Sequence, residues 1–298
     1  MPQIPYVERS AIAALRAPRE VFGSFLGLYV EGSLEGLAAP TVAIVGTRAA
    51  TLAGCRRAHT IAAGLSAAGV CVISGLALGI DGAAHQGALS VGAPTIAVLG
   101  GGHDHFFPKP HRDLARAMIA GGGAVASPYP AQWPARPGQF LARNAIVAAL
   151  ADAVVVIEAG ARSGALNTAG WAADLHVPVF ALPGDVDRPK SAGCLALIRD
   201  GATLIRDAAD ILEALRMPAL AGAATPSESA AYPPLAASIV RVLAEGEASI
   251  ETIAQRCALA TPHMLAALTM LELQGVIEAR GGAIYALRSH GAYARAPG

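Results

Sequence analysis

This chain has little charge. Of its 298 residues 15% are charged, and 22 cations balance 22 anions, giving a formal net charge of zero. A strongly basic protein is thereby excluded, and with it the overall electrostatic footprint that nucleic-acid binders often show. A local basic patch is not excluded, because salt screens charges more than about 8 Å away at physiological ionic strength. Cysteine is scarce as well. Cys55, Cys71, Cys194 and Cys257 lie far apart with no C-x-x-C spacing, so zinc and redox sites of that type are not expected, and reduced thiols in a cytoplasmic protein are. Met1-Pro2-Gln3-Ile4-Pro5 carries no basic segment ahead of an apolar run, and no stretch approaches about 18 uninterrupted apolar residues. No membrane association is expected. Neither G-x-G-x-x-G nor a Walker loop occurs, so nicotinamide binding and ATP hydrolysis are unsupported and no cofactor is expected.

What the chain does have is apolar mass. A hydrophobic content of 54% calls for a large buried core, and the length suits one full domain plus a smaller unit. From Thr41 onward one pattern repeats: a short β-branched run, a glycine-rich turn, then an alanine-rich helical stretch. That is the pattern of βαβ units. Strands are expected at 42–45, 70–74, 95–99, 124–127, 154–158 and 179–182, several of them continuous apolar runs, as in a parallel sheet covered on both faces. Helices are expected at 52–68, 82–91, 112–120, 140–149, 165–175 and 208–215. The fold class that follows is α/β, a doubly wound, mostly parallel sheet.

Residues 1–40 are too short for a core of their own and are expected to pack on the main domain, with an amphipathic piece at 7–15 and a short strand at 26–30. The main domain covers 41–216. Residues 217–234, rich in Ala, Pro, Ser and Thr, have the composition of a linker. Residues 235–288 suggest three helices (235–244, 249–257, 262–273) and a hairpin turning at Gly281-Gly282, with Ser249 and Thr261 as N-caps and Pro262 at a first helical position. The arrangement resembles a small C-terminal winged-helix domain, or else a helical cap on the main domain. A mobile tail is expected over 289–298.

In a doubly wound sheet, ligands bind outside the carboxyl ends of the strands. The first loop there is Gly46-Thr47-Arg48, where glycine would let backbone amides approach an anion and the guanidinium could bind a phosphate. The second begins Ser74-Gly75 and leads to Asp81 and His85, read as an N-cap with a histidine packed beside it. The third is Gly100-Gly101-Gly102 followed by His103-Asp104-His105, which lacks the further ligand and helical setting of a zinc enzyme, so no metal is expected. A fourth region holds Arg136, Gln139, Phe140, Arg143 and Asn144. It suits a nucleic-acid strand, with Arg for phosphates and Phe140 for stacking, and equally a surface loop with a buried Phe. Ser163-Gly164 opens another helix, and Pro183-Gly184 closes the series. Five glycine loops along one edge favour an anion site.

In order and spacing these segments match a known pattern: Val42 through Arg48, Ser74-Gly75-Leu76-Ala77 with Gly79-Ile80-Asp81 and Ala84-His85, Ile96 through Gly100, Phe140 with Arg143-Asn144, Ser163 through Leu166 with Thr168-Ala169, and Pro183-Gly184 followed by Ile198 and Gly201-Ala202. The chain resembles the DNA processing protein A family (DprA, also called Smf), bacterial natural-transformation factors, from about residue 28 to 287. The resemblance implies a Rossmann-like core that binds single-stranded DNA, forms a homodimer and helps load the RecA recombinase onto incoming DNA. It implies a DNA pocket lined by Gly46, Thr47, Arg48, the region 136–144 and Ser163-Gly164; Ser74, Gly75, Gly100 and Lys109 complete the expected DNA- or phosphate-binding set, with no catalytic residue. The sterile-alpha-motif-like domain that many members carry is not expected in the N-terminal stretch.

Three positions depart from the family pattern: Ala145 where a second arginine is usual, Pro128 where Glu is, and Leu195 where Asn is. Losing the arginine would remove one phosphate contact, for which Lys109 or Arg162 could compensate. The rival reading is a nucleotide sensor or phosphoribohydrolase-like enzyme on the same scaffold, but the Pro-Gly-Gly-x-Gly-Thr run of those enzymes is absent and Pro183-Gly184 is followed by Asp185. A duplex-reading transcription factor is disfavoured because 262–273 contains no Arg or Lys.

Overall fold

The computed structural model describes residues 3–16, 18–19, 26–217, 234–244, 246–257, 264, 268, 271–272, 276–280 and 284–287. Contacts divide the chain into two units, Met1–Ala223 and Ala224–Gly298.

In the first unit, β1 (Tyr6–Glu8), α1 (Arg9–Leu15) and β2 (Gly27–Gly32) precede an alternating series: β3 (Thr41–Val45), α2 (Leu52–Ala67), β4 (Cys71–Ser74), α3 (Ile80–Ser90), β5 (Thr95–Val98), α4 (Arg112–Ala120), β6 (Ala124–Ser127), α5 (Pro137–Ala149), β7 (Ala153–Val156), α6 (Gly164–Asp174), β8 (Val179–Ala181), α7 (Ala192–Arg199), β9 (Thr203–Leu204) and α8 (Ala208–Ala214). The nine strands form one sheet in the order β1-β2-β6-β5-β4-β3-β7-β8-β9, parallel from β6 to β9.

Strand β3 shows why the sheet is doubly wound. All five of its residues are buried. Ala43 and Val45 face one apolar layer, with Ile146 and Val147 of α5 and Ala169 of α6. Val42 and Ile44 face the other, with Ile61 and Leu65 of α2 and Ala84 of α3. Two covered faces explain the continuous apolar runs. Helix α2 presents Ala58, Ile61, Ala62 and Leu65 to the core, the i, i+3, i+4, i+7 stripe of an amphipathic helix, and the Thr51 hydroxyl caps it by accepting from Gly54 N at 2.9 Å.

The chain leaves β3 for β4 on one side, while β7, on β3's other flank, leads away to β8. The winding therefore reverses between β3 and β7, where such sheets open a crevice at the carboxyl ends. The N-terminal stretch does more than pack on the core. Strand β2 pairs antiparallel with β6, and β1 pairs antiparallel with β2, so this segment extends the sheet's edge. Helix α7 and strand β9 are further elements that the sequence pattern did not reveal.

In the second unit, α9 (Pro234–Ala244), α10 (Ile250–Arg256) and a three-stranded sheet of β10 (Ala248–Ser249), β12 (Ile284–Leu287) and β11 (Ile277–Arg280) surround a small core. Ser249 caps α10, its hydroxyl accepting from Thr252 N. Met264, Leu268 and Leu271 are buried at helical spacing; the remainder of the helix expected at 262–273, with Thr261, Pro262 and the Gly281-Gly282 turn, lies outside the described residues, as do 218–233 and the tail. Among the described residues no helix is long and apolar enough to cross a membrane.

Candidate functional site

The crevice at the β3/β7 switch point opens into a cavity of about 370 Å³, within the usual range of about 300 to 1,000 Å³ for ligand sites. Gly46, Thr47 and Arg48 line it from the loop after β3, Gly75 and Ala77 from the loop after β4, Phe140, Arg143 and Asn144 from α5, and Ser163 and Gly164 from the start of α6. Sequence reasoning had placed all of these at the site except Ala77.

The other expected residues lie elsewhere. Ser74 is wholly buried, its hydroxyl donating to Ile44 O at 2.6 Å. Gly100 makes room for a ring rather than an anion, since a Cβ there would stand 2.6 Å from Phe140. Lys109 and Arg136 are exposed and outside the cavity lining. The Gln139 side-chain oxygen accepts from Arg136 N at 2.6 Å, which closes the first turn of α5. Ala145, where the family usually has arginine, is 3% exposed in the core side of α5, so it is not a vacated position on the cavity wall.

The one glycine of the first loop, Gly46, also has a packing role. A Cβ on Gly46 would come within 2.4 Å of the Ile80 side chain, so glycine is needed for loop-to-helix packing. The amide of Thr47 is already bonded to Glu158 O at 2.7 Å, and that of Thr51 to the Glu158 carboxylate at 2.8 Å. Glu158 thus supplies its own anion to the first turn of α2, where the helix dipole favours one. At the start of α6 the Ser163 hydroxyl accepts from Ala165 N at 3.4 Å and Ser163 O from Leu166 N at 3.1 Å, so an incoming phosphate is left chiefly with the side chains of Arg48 and Arg143. The acid was visible in sequence, but its reach across to another strand's loop was not.

Arg143 is the unusual group. It is 4% exposed, its Nη1 donates to Val98 O at 2.6 Å, and its Nε is buried with no partner. Burial lowers its pKa to about 10, a shift opposed by Asp81 and reinforced by Arg48, so it still carries its charge at neutral pH. Gly75 exists for this side chain: a Cβ there would lie 1.7 Å from Arg143 Nη1. Asp81 also lines the cavity. It is not an N-cap, since Gly79 holds that position; its carboxylate accepts from Gly75 N at 3.2 Å and Ala77 N at 3.4 Å and so shapes the preceding loop. Burial raises its pKa, against the pull of Arg143 and those amides. His85 is not its partner but bonds Thr95 Oγ1 at 2.8 Å.

At the mouth, exposed Arg48 sits over the Phe140 ring, 5.1 Å from its centroid, a cation–π geometry. Phe107 meets Phe140 edge-on at 5.9 Å. Asn144 Nδ2 donates to Gly164 O and Asn167 Oδ1, each at 3.3 Å, tying α5 to α6. The His103-Asp104-His105 segment is a short helical turn, and among the described residues no group of three or more His, Cys, Asp or Glu is placed to hold a metal.

A doubly wound sheet with a cation-floored, aromatic-rimmed cavity at its switch point places the chain among α/β proteins whose crevice has the chemistry to receive an anion. Comparison with known proteins narrows this. The family described as DNA recombination-mediator protein A matches residues 19–216, and the DprA winged helix domain matches 222–283. The chain belongs to the DNA recombination-mediator protein A family. Protein Smf of Escherichia coli K12 is 37% identical over 268 residues, 88% of this chain and 71% of that one. The X-ray structure of DNA processing protein A from Streptococcus pneumoniae superposes with a TM-score of 0.64 at 35% identity, over 71% of this chain and 74% of that chain. A Helicobacter pylori homologue, described for its single-stranded DNA binding mode, gives 0.58 at 32% identity over 64% and 86%. The solved relatives support the Rossmann-like core, and the domain match over 222–283 supports the C-terminal winged-helix domain.

Proposed function

We propose that this protein binds single-stranded DNA in the switch-point cavity without regard to sequence, protects incoming DNA and helps load the RecA recombinase during natural transformation. It acts as a cytoplasmic homodimer and performs no catalysis. The observation that carries the reading is the joining of a buried, under-bonded arginine (Arg143), an exposed arginine (Arg48) and a half-buried aromatic (Phe140) in one open cavity. Arginine meets phosphate with directed donors, and an aromatic face stacks on any base. The single-strand binding described for the Helicobacter pylori relative supports the same reading. Non-catalytic action is supported by the state of the lining acid, since the Asp81 carboxylate is committed to two backbone amides.

The test is binding of a short single-stranded oligonucleotide against the matching duplex at equal salt. The single strand should bind more tightly. A preference for duplex would overturn the proposal, and release of free base from nucleoside monophosphates would replace it with an enzyme.

A further inference from the structure

Beside the main cavity lies a cleft of about 40 Å³, lined by Leu78, Phe107 and Pro108 together with Arg48, Gly75, Ala77, Phe140 and Arg143, which the two share. Phe107 is 51% exposed and Leu78 40% exposed, although both are large apolar side chains. Phe107 meets Phe140 edge to face and keeps about half of its surface in solvent. The cleft is too small to enclose a base, so anything bound there lies on the ledge. Three features choose the occupant: the ledge is continuous with the cavity, Arg48 borders both, and the next turn begins with the exposed cation Lys109. An apolar ring next to cations suits successive bases and phosphates of one strand.

We infer that Phe107, with Leu78 lining the same cleft, is a second base-stacking subsite that takes the neighbouring nucleotide of a single strand held in the cavity. The inference rests on the single-strand reading above and adds a second stacked base and a direction of travel, from the cavity past Phe140 toward the loop after β5. It also gives Lys109, outside the cavity wall, a place on the strand's path.

The experiment measures the affinity of a fluorescein-labelled dT12 for four variants of the full chain. Loss of one stacked base should weaken binding roughly five-fold or more. That loss is expected for Phe107→Ala and also for Phe107→Leu, which keeps apolar bulk against Phe140 but offers no aromatic face. Phe107→Trp should bind as well as the parent chain. Arg48→Ala is the control for the cavity itself. If Phe107→Leu binds like the parent, the side chain only supports Phe140 and the subsite is refuted. If Phe107→Ala binds like the parent while Arg48→Ala is weakened, the subsite falls and the single-strand reading stands. If neither substitution weakens binding, the single-strand reading itself falls and the subsite with it. Phe107 is half in solvent, so these changes should leave thermal unfolding where it was.

Discussion

The two ends of the parallel sheet each hold a partly or fully buried arginine, and the two are bonded very differently. At the amino end Arg16 Nε donates to Leu37 O at 3.1 Å, Nη2 donates to Ala39 O at 2.8 Å, and Nη1 meets the Asp152 carboxylate at 2.5 Å. Asp152 in turn accepts from Thr41 N at 2.9 Å, at the very start of β3. At the carboxyl end Arg143 has the carbonyl of Val98, a buried Nε with no partner, and a glycine kept bare for it. Satisfied donors hold a fold together, whereas a buried donor without a partner costs stability and commonly marks a place meant for a ligand. One end of the sheet is therefore a clamp and the other the proposed site.

Substitutions can break or sharpen this contrast. The largest effect is expected from Arg143→Ala, which removes the cation opposing buried Asp81. Unfolding free energy in urea should fall by about 3–5 kcal/mol, and oligonucleotide binding should weaken with it. An unchanged midpoint would mean that Arg143 is not part of the core. Arg16→Ala should cost about 2 kcal/mol through lost charge-assisted bonds while leaving oligonucleotide affinity within error. A matching loss of affinity would erase the distinction between the ends.

His85 provides a third test. It is fully buried; the Thr95 hydroxyl donates to Val72 O at 2.6 Å, so it accepts from His85 Nδ1–H and leaves Nε2 buried with no partner. Burial first, then the nearby His111 and Arg143, lower its pKa to about 3. The unfolded chain takes up this proton near pH 6.5 and the folded chain does so only near pH 3. Stability is therefore fully present above pH 6.5 and declines as pH falls through that window, by up to about 1.4 kcal/mol per pH unit from this group. His85→Asn should flatten the slope relative to the parent chain in parallel melts from pH 7 to 4.5. Parallel slopes would show that the proton uptake lies elsewhere.

How much of this was legible in the sequence varied with location. Central strands such as β3 and β7 stand out because burial on both faces leaves unbroken apolar runs, and helices such as α2 follow from their stripe. Strand β2 (Gly27–Gly32) matches the short strand expected at 26–30, whereas β1 and β9, at the sheet's two edges, are short and largely exposed and carry no comparable run. Cavity residues could be located because they follow the strands' carboxyl ends. What sequence could not reveal was which loop groups are free: the Thr47 amide is taken by Glu158, and Gly46 and Gly100 serve Ile80 and Phe140, all contacts between distant segments. The proposed anion site accordingly rests on arginine side chains and not on the backbone amides of the first loop.

Arg48 is exposed, so Arg48→Ala should shift unfolding by less than about 0.5 kcal/mol, the smallest stability change of the series. It therefore isolates the central claim that side-chain cations at the switch point hold the phosphates of a single strand. The decisive measurement is the salt dependence of dT12 binding to the parent chain and to Arg48→Ala. The expected result is weaker binding for the variant and a log-log slope shallower by roughly 0.7, the loss of one phosphate contact to single-stranded DNA. Equal affinity and equal slope would contradict it.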